Sequence, residues 1–132
     1  MDKYYHYNLG LRFEEIVKIF PDRTALAFSC ELKVSYIELN ELANQIARFL
    51  NSEGVKCGDV VCITGVKLIE TYASMIACLK LGAIYCILDF DSPLERLKKI
   101  INRCQPKVVL IDNKIKEKIL GNEFEGSPKL IF

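Results

Sequence analysis

Apolar residues along this chain recur first at helical spacing and then in unbroken β-branched runs, and the alternation of the two patterns predicts its architecture. Phe13, Ile16, Val17 and Phe20 fall on one helical face, and Pro21-Asp22 stops that helix because proline cannot extend the hydrogen-bond ladder. Ala25 to Phe28 and Lys33 to Ser35 read as a short hairpin. Ser35-Tyr36-Ile37-Glu38 is a capping box, in which serine and glutamate satisfy each other's backbone N–H groups, so a helix starts there. Leu39, Leu42, Ala43, Ile46, Phe49 and Leu50 give it an apolar stripe, and Gly54 suits its end.

After a turn at Gly58-Asp59, Val60-Val61-Cys62-Ile63 is apolar without alternation, as befits a strand covered on both faces. A nearly all-apolar helix follows from Ile69 to Leu81 and closes at Gly82. Ile84 to Leu88 forms a second buried strand. Ser92-Pro93-Leu94-Glu95 repeats the capping-box pattern with proline at the first helical position. Leu94, Leu97, Ile100, Ile101 and Cys104 line the next helix, Pro106 ends it, and Val108 to Ile111 supplies a third buried strand. A short charged helix from about Lys114 to Leu120 and a strand from Leu130 to Phe132 complete the series. Parallel neighbours require right-handed crossovers, so the expected fold class is α/β: a three-layer, open, mostly parallel sheet with flanking helices and a short hairpin near the N-terminus.

Composition narrows the class. A chain of 132 residues supports one core, and residues 1–132 are read as a single domain. Apolar residues make up 51 % and charged residues 27 %, with a net charge of +1, which fits a soluble globular protein and gives no basic face for nucleic acid. Lys114, Lys116 and Lys118, interrupted by Glu117, are expected on a solvated helix face. No apolar stretch is long enough to cross a membrane and no secretory core follows Met1, so the expected location is cytoplasmic. Cys30, Cys57, Cys62, Cys78, Cys86 and Cys104 lack the spacing of a zinc site, the nearest pair being Cys57 and Cys62; four of them fall in apolar strand or helix patterns, and buried free thiols are expected.

The segment Leu79-Lys80-Leu81-Gly82-Ala83-Ile84-Tyr85, running on to Leu88-Asp89, resembles the second core motif of the amino-acid adenylation domains of nonribosomal peptide synthesis, members of the adenylate-forming ligase superfamily. Val34-Ser35-Tyr36-Ile37-Glu38-Leu39 is similar to their first core motif. Ala43 to Ala47 and Gly54 to Val61 are phrases typical of the same domains. The likeness runs from about Phe13 to Ile111. It departs from the family pattern at Leu81, Ile87 and Phe90, where alanine and two prolines are usual. It implies a reaction in which a carboxylate and ATP give an acyl adenylate and pyrophosphate, before transfer to a carrier-protein thiol. ATP and magnesium are expected for a complete domain, with the remainder of the domain and a carrier protein as partners. The family's phosphate loop, ribose-binding aspartate and catalytic lysine all lie downstream of the matched region, so no catalytic, cofactor-binding or metal residue is carried over onto this chain.

The remaining polar residues are read as framework. Ser35, Glu38, Ser92 and Glu95 are expected to cap helices. His6, the single histidine, has no evident fixed partner. Asp89 lies just beyond a strand's carboxyl end, where open parallel sheets bind ligands, yet a turn role suits it better. Gly126-Ser127-Pro128-Lys129 has the outline of an anion loop, but Glu123 and Glu125 would repel a triphosphate, and an ordinary turn is expected. Three functional readings follow: the catalytically incompetent N-terminal part of an adenylation domain, half of a split ligase, or a standalone flavodoxin-like binding module.

Overall fold

The computed structural model describes residues 7–131. Helix α1 spans Leu9–Ile19 and starts at Asn8, whose side-chain oxygen accepts from the N–H groups of Gly10 and Leu11. Strands β1 (Thr24–Ala27) and β2 (Lys33–Ser35) form the expected antiparallel hairpin. Helix α2 (Tyr36–Ser52) is followed by β3 (Val60–Thr64), α3 (Ile69–Leu81), β4 (Ile84–Leu88), α4 (Leu94–Cys104), β5 (Val108–Leu110), α5 (Asn113–Ile119) and β6 (Lys129–Ile131). The last strand begins one residue earlier than expected, and Phe132 lies outside the described residues, as does His6.

The four later strands pair in the order β4-β3-β5-β6, and every pairing is parallel. Alternate side chains of each strand enter two separate cores. Val61, Ile63 and Val108 pack with Leu50 of α2 and with Ala77 and Cys78 of α3. Cys62 and Val109 face the other way, against Leu97 and Ile101 of α4 and Ile115 and Ile119 of α5. Helices therefore cover both faces, which gives the three layers. A third cluster, around Val34, Leu39, Ala43 and Ala73, seats the hairpin against α2 and α3.

Two motif residues act as fasteners between these layers. The Lys80 side chain, only 9 % exposed, donates from Nζ to Glu14 Oε1 at 2.7 Å and to Asn40 Oδ1 at 2.8 Å, which joins α3 to α1 and α2. Gly82 ends α3 with φ +70, and a Cβ placed there would meet Cys57 Sγ at 2.9 Å. Glycine is favoured on both counts, since the left-handed conformation strains any other residue and a Cβ would force the Cys57 sulfur to shift.

The first capping box forms as expected. Ser35 Oγ accepts from the Glu38 N–H at 3.3 Å, while Glu38 Oε2 accepts from the Ser35 N–H and O–H at 2.8 Å each. The second does not form. Helix α4 begins at Leu94 with Pro93 as its N-cap, and no side chain caps it. Ser92 is buried, and its carbonyl accepts from Lys118 Nζ, which also reaches the Phe90 carbonyl. Lys118 is thus a tie between α5 and the loop before α4 rather than part of a solvated face. Glu95 is left on the surface with Lys98 at 4.0 Å.

Replacing Ser35 with alanine removes the two bonds made by its hydroxyl, leaving the backbone N–H of residue 35 on Glu38, and is expected to lower stability by about 1 kcal/mol in denaturant melts. Donation from the Ser35 backbone and hydroxyl holds Glu38 below the ordinary glutamate value of 4.5. A depressed carboxyl stabilises above its unfolded pKa, and that contribution is lost as pH falls through the folded value. E38Q should therefore be less stable than wild type near neutrality, with the gap closing as the solution is acidified below pH 4.5; a gap independent of pH would contradict the assignment. Gly82→Ala is expected to cost roughly 1–2 kcal/mol through the left-handed backbone alone. Combining it with C57A should return only the portion caused by contact with the Cys57 sulfur.

Candidate functional site

In an open parallel sheet the ligand crevice lies beyond the carboxyl ends of the strands, where the chain's winding reverses. Here the chain leaves β3 toward β4 on one side and leaves β5 toward β6 on the other, so the reversal falls between β3 and β5. A cleft of about 310 Å³ opens at that point. Its floor is apolar, from Ile63, Leu110 and Ile111, and its walls come from the first turns of α3 and α5.

The polar groups of the cleft are largely committed to the fold. Thr64, buried at the end of β3, accepts the Asp112 N–H on its hydroxyl oxygen at 2.9 Å, which joins the two strand ends across the crevice. Asp112 caps α5 by accepting from the Lys114 N–H at 2.8 Å. Ser74 donates its hydroxyl to the Glu70 carbonyl at 2.7 Å. Thr71, Asn113 and the carboxylates of Glu70 and Asp112 complete the polar lining, which contains no lysine or arginine. Two acidic residues and no lysine or arginine among its lining residues leave this cleft without side-chain charge to offset that of a nucleotide triphosphate.

The residues weighed from sequence lie apart from this cleft. Asp89 is exposed and serves its own turn, accepting from the Asp91 N–H at 3.1 Å. The segment Gly126 to Lys129 borders a second, larger hollow of about 460 Å³, but it is a turn: Ser127 N–H donates to the Phe124 carbonyl, Lys129 N–H to the Lys107 carbonyl, and the Lys129 ammonium pairs with Glu53. With these donors engaged and Glu123 in its rim, the hollow has the character of an ordinary turn, as expected. Thr64 and Asp112 carried no motif that would have singled them out; their position at the strand ends becomes visible only once the strand order is known.

All six cysteines are free: Cys30 and Cys57 are exposed, Cys62 and Cys78 buried, Cys86 and Cys104 half-buried. Burial pushes the Cys78 thiol up to about 12, so it is an inert core residue. The pair considered from sequence, Cys57 and Cys62, is not brought together. Instead the sulfurs of Cys62, Cys86 and Cys104 all lie within 4.8 Å of one another, on the side of the sheet that faces α4.

Comparison with known proteins agrees with this geometry. The sequence pattern of the AMP-binding enzyme family matches residues 13–131. Tyrocidine synthase 1 of Brevibacillus parabrevis is 36 % identical over 114 residues, 86 % of this chain and 10 % of that protein. The dimodular nonribosomal peptide synthase of Bacillus subtilis is 32 % identical over 130 residues, 98 % of this chain and 5 % of that protein. The chain thus spans a tenth or less of the length of these curated relatives. Among solved structures, the N-terminal subdomain of Klebsiella oxytoca NpsA in complex with anthranilyl-AMSN superposes with a TM-score of 0.80 at 26 % identity, covering 95 % of this chain and 30 % of that one. Full NpsA with 3-hydroxyanthranilyl-AMSN gives 0.83 at 24 % identity, over 96 % of this chain and 25 % of that one, a likeness of fold. The chain belongs to the AMP-binding enzyme family, and its sequence and fold correspond to the N-terminal portion of the adenylation domains of nonribosomal peptide synthetases.

Proposed function

We propose that this chain serves as the N-terminal scaffold of an ATP-dependent, amino-acid-activating ligase and that by itself it is catalytically incompetent. The observation that carries this reading is the cleft between β3 and β5, which has an apolar floor and a hydroxyl rim at the position where such sheets bind ligands, yet is lined by Glu70 and Asp112 with no lysine or arginine. A transferring nucleotide phosphate needs backbone N–H cradles or cationic clamps, and usually magnesium. In a complete domain those groups, and ATP with its magnesium, would be held by the remaining sequence, with an acyl group passed on to a carrier protein in the cytoplasm.

A second reading, half of a split enzyme, draws support from the open edge of the sheet. Among the described residues strand β4 has a neighbour on one side only, and Ile84 and Ile87 on it are 56 % and 41 % exposed. Exposed apolar edges of this kind favour a covering partner. An open reading frame for the phosphate loop as a separate downstream gene would support it. A self-sufficient flavodoxin-like module, the third reading, is disfavoured by the family match.

Incubating the chain with ATP, magnesium and a panel of amino acids is expected to give no amino-acid-dependent pyrophosphate exchange. Exchange above a no-enzyme control, abolished by mixing in a chelator, would overturn the proposal of incompetence.

A further inference from the structure

Three thiols converge where parallel pairing and one helix end meet. Cys62 on β3 and Cys86 on β4 are direct partners in the parallel register, so both side chains leave the same face of the sheet. Cys104, the last residue of α4, comes down over them, with its sulfur 3.8 Å from that of Cys86. All three sulfurs lie within 4.8 Å of one another. Thiolate bonds of about 2.3 Å, as zinc makes, set three sulfurs about 4 Å apart around one central atom. The cluster is close to that spacing before anything binds.

Charge decides what it can take. The three thiols share their cluster with Leu97, Ile101 and Val109. Burial is the main influence on Cys62, pushing its thiol far up, with the Cys86 and Cys104 sulfurs adding to it. Burial likewise raises Cys86, followed by its hydrogen bond with Cys104. Among the described residues no cation acts on either thiol to favour a thiolate. A divalent ion held by three thiolates would leave a net negative charge uncompensated in this apolar setting, and a monovalent ion would leave more. A trivalent centre would leave none.

We propose that Cys62, Cys86 and Cys104 form a binding site for a trivalent thiophilic metalloid, for which arsenous acid is the probe. Three arsenic–sulfur bonds form and three arsenic–oxygen bonds break. Each thiol proton leaves on a departing hydroxyl, so three waters are released, and arsenic stays trivalent with nothing oxidised or reduced. Both reactants and the product are neutral, and the raised thiols need not ionise in bulk to enter the site. Cys86 and Cys104 are half-buried and supply the route in; Cys62 closes the site from within. Binding ties the edge strand β4 and the end of α4 to the central strand.

The test is intact-protein mass spectrometry of the chain in a phosphine-reduced, oxygen-free buffer with sodium arsenite. The expected product carries one arsenic and has lost three hydrogens. A C30S/C57S double variant, which removes both exposed thiols, should retain it, whereas C86S and C104S should each lose the three-thiol product. Cys104 is at a half-buried helix end, so C104S, checked by circular dichroism, keeps the test valid if C86S does not fold. Arsenite should also raise the melting temperature of wild type but not of C104S. An adduct that has lost only two thiol hydrogens and keeps a hydroxyl on arsenic would overturn the proposal. So would loss of the adduct in C30S/C57S, its persistence in C104S, or zinc or cadmium being retained through dialysis while arsenic is not.

Discussion

The structure depends on one strand being dry on both faces. Val61, Cys62 and Ile63 of β3 are all buried, with Val61 and Ile63 turned toward α2 and α3 and Cys62 toward α4 and α5. Burying such a strand stabilises by roughly 25 cal/mol for each Å² of apolar surface withdrawn from water, and the strand's position also fixes everything beside it. Its two ladders set the register of β4 and β5, its end carries Thr64 into the crevice, and the helices before and after it form one layer. A polar residue at Val61 or Ile63 would disturb two ladders and a core together.

Seen from that strand, the recurring motifs of the family are joinery rather than chemistry. Ser35 and Glu38 fix where α2 begins, directly after the hairpin. Lys80 draws three helices from distant parts of the chain to one ammonium group. Gly82 lets the end of α3 lie against Cys57 before the chain turns into β4. None of these residues lines the crevice. The motifs position the wall of the crevice, while the wall itself is made of hydroxyls, carboxylates and aliphatic side chains that belong to neither motif.

Most of the fold was legible in the sequence because it is governed by local rules. The capping box placed the start of α2, the runs of apolar positions located β3, α3 and β4 to within a residue, and the glycine after α3 marked its end. The box at Ser92 misled because Pro93, as N-cap, leaves the serine behind it, and tertiary contact with Lys118 then claims the Ser92 carbonyl. Long-range arrangements were not legible. Lys80 to Glu14 spans 66 positions, and no local pattern announces such a contact. The thiol cluster depends on which residue of β3 faces which residue of β4, and a shift of one position would have sent Cys86 to the opposite side of the sheet. The crevice likewise follows from strand order, which spacing along the chain does not specify.

The ammonium bridge from α3 has a further implication for the order of events during synthesis. Helix α1 is made well before residue 80, whose ammonium group it comes to rest on, so that bridge must wait until a further 66 positions have followed Glu14. With 11 residues it is too short to be a stable helix alone, and it gains lasting order only when α2 and α3 are there to receive it. Of these three helices, the one made first is thus the last to settle.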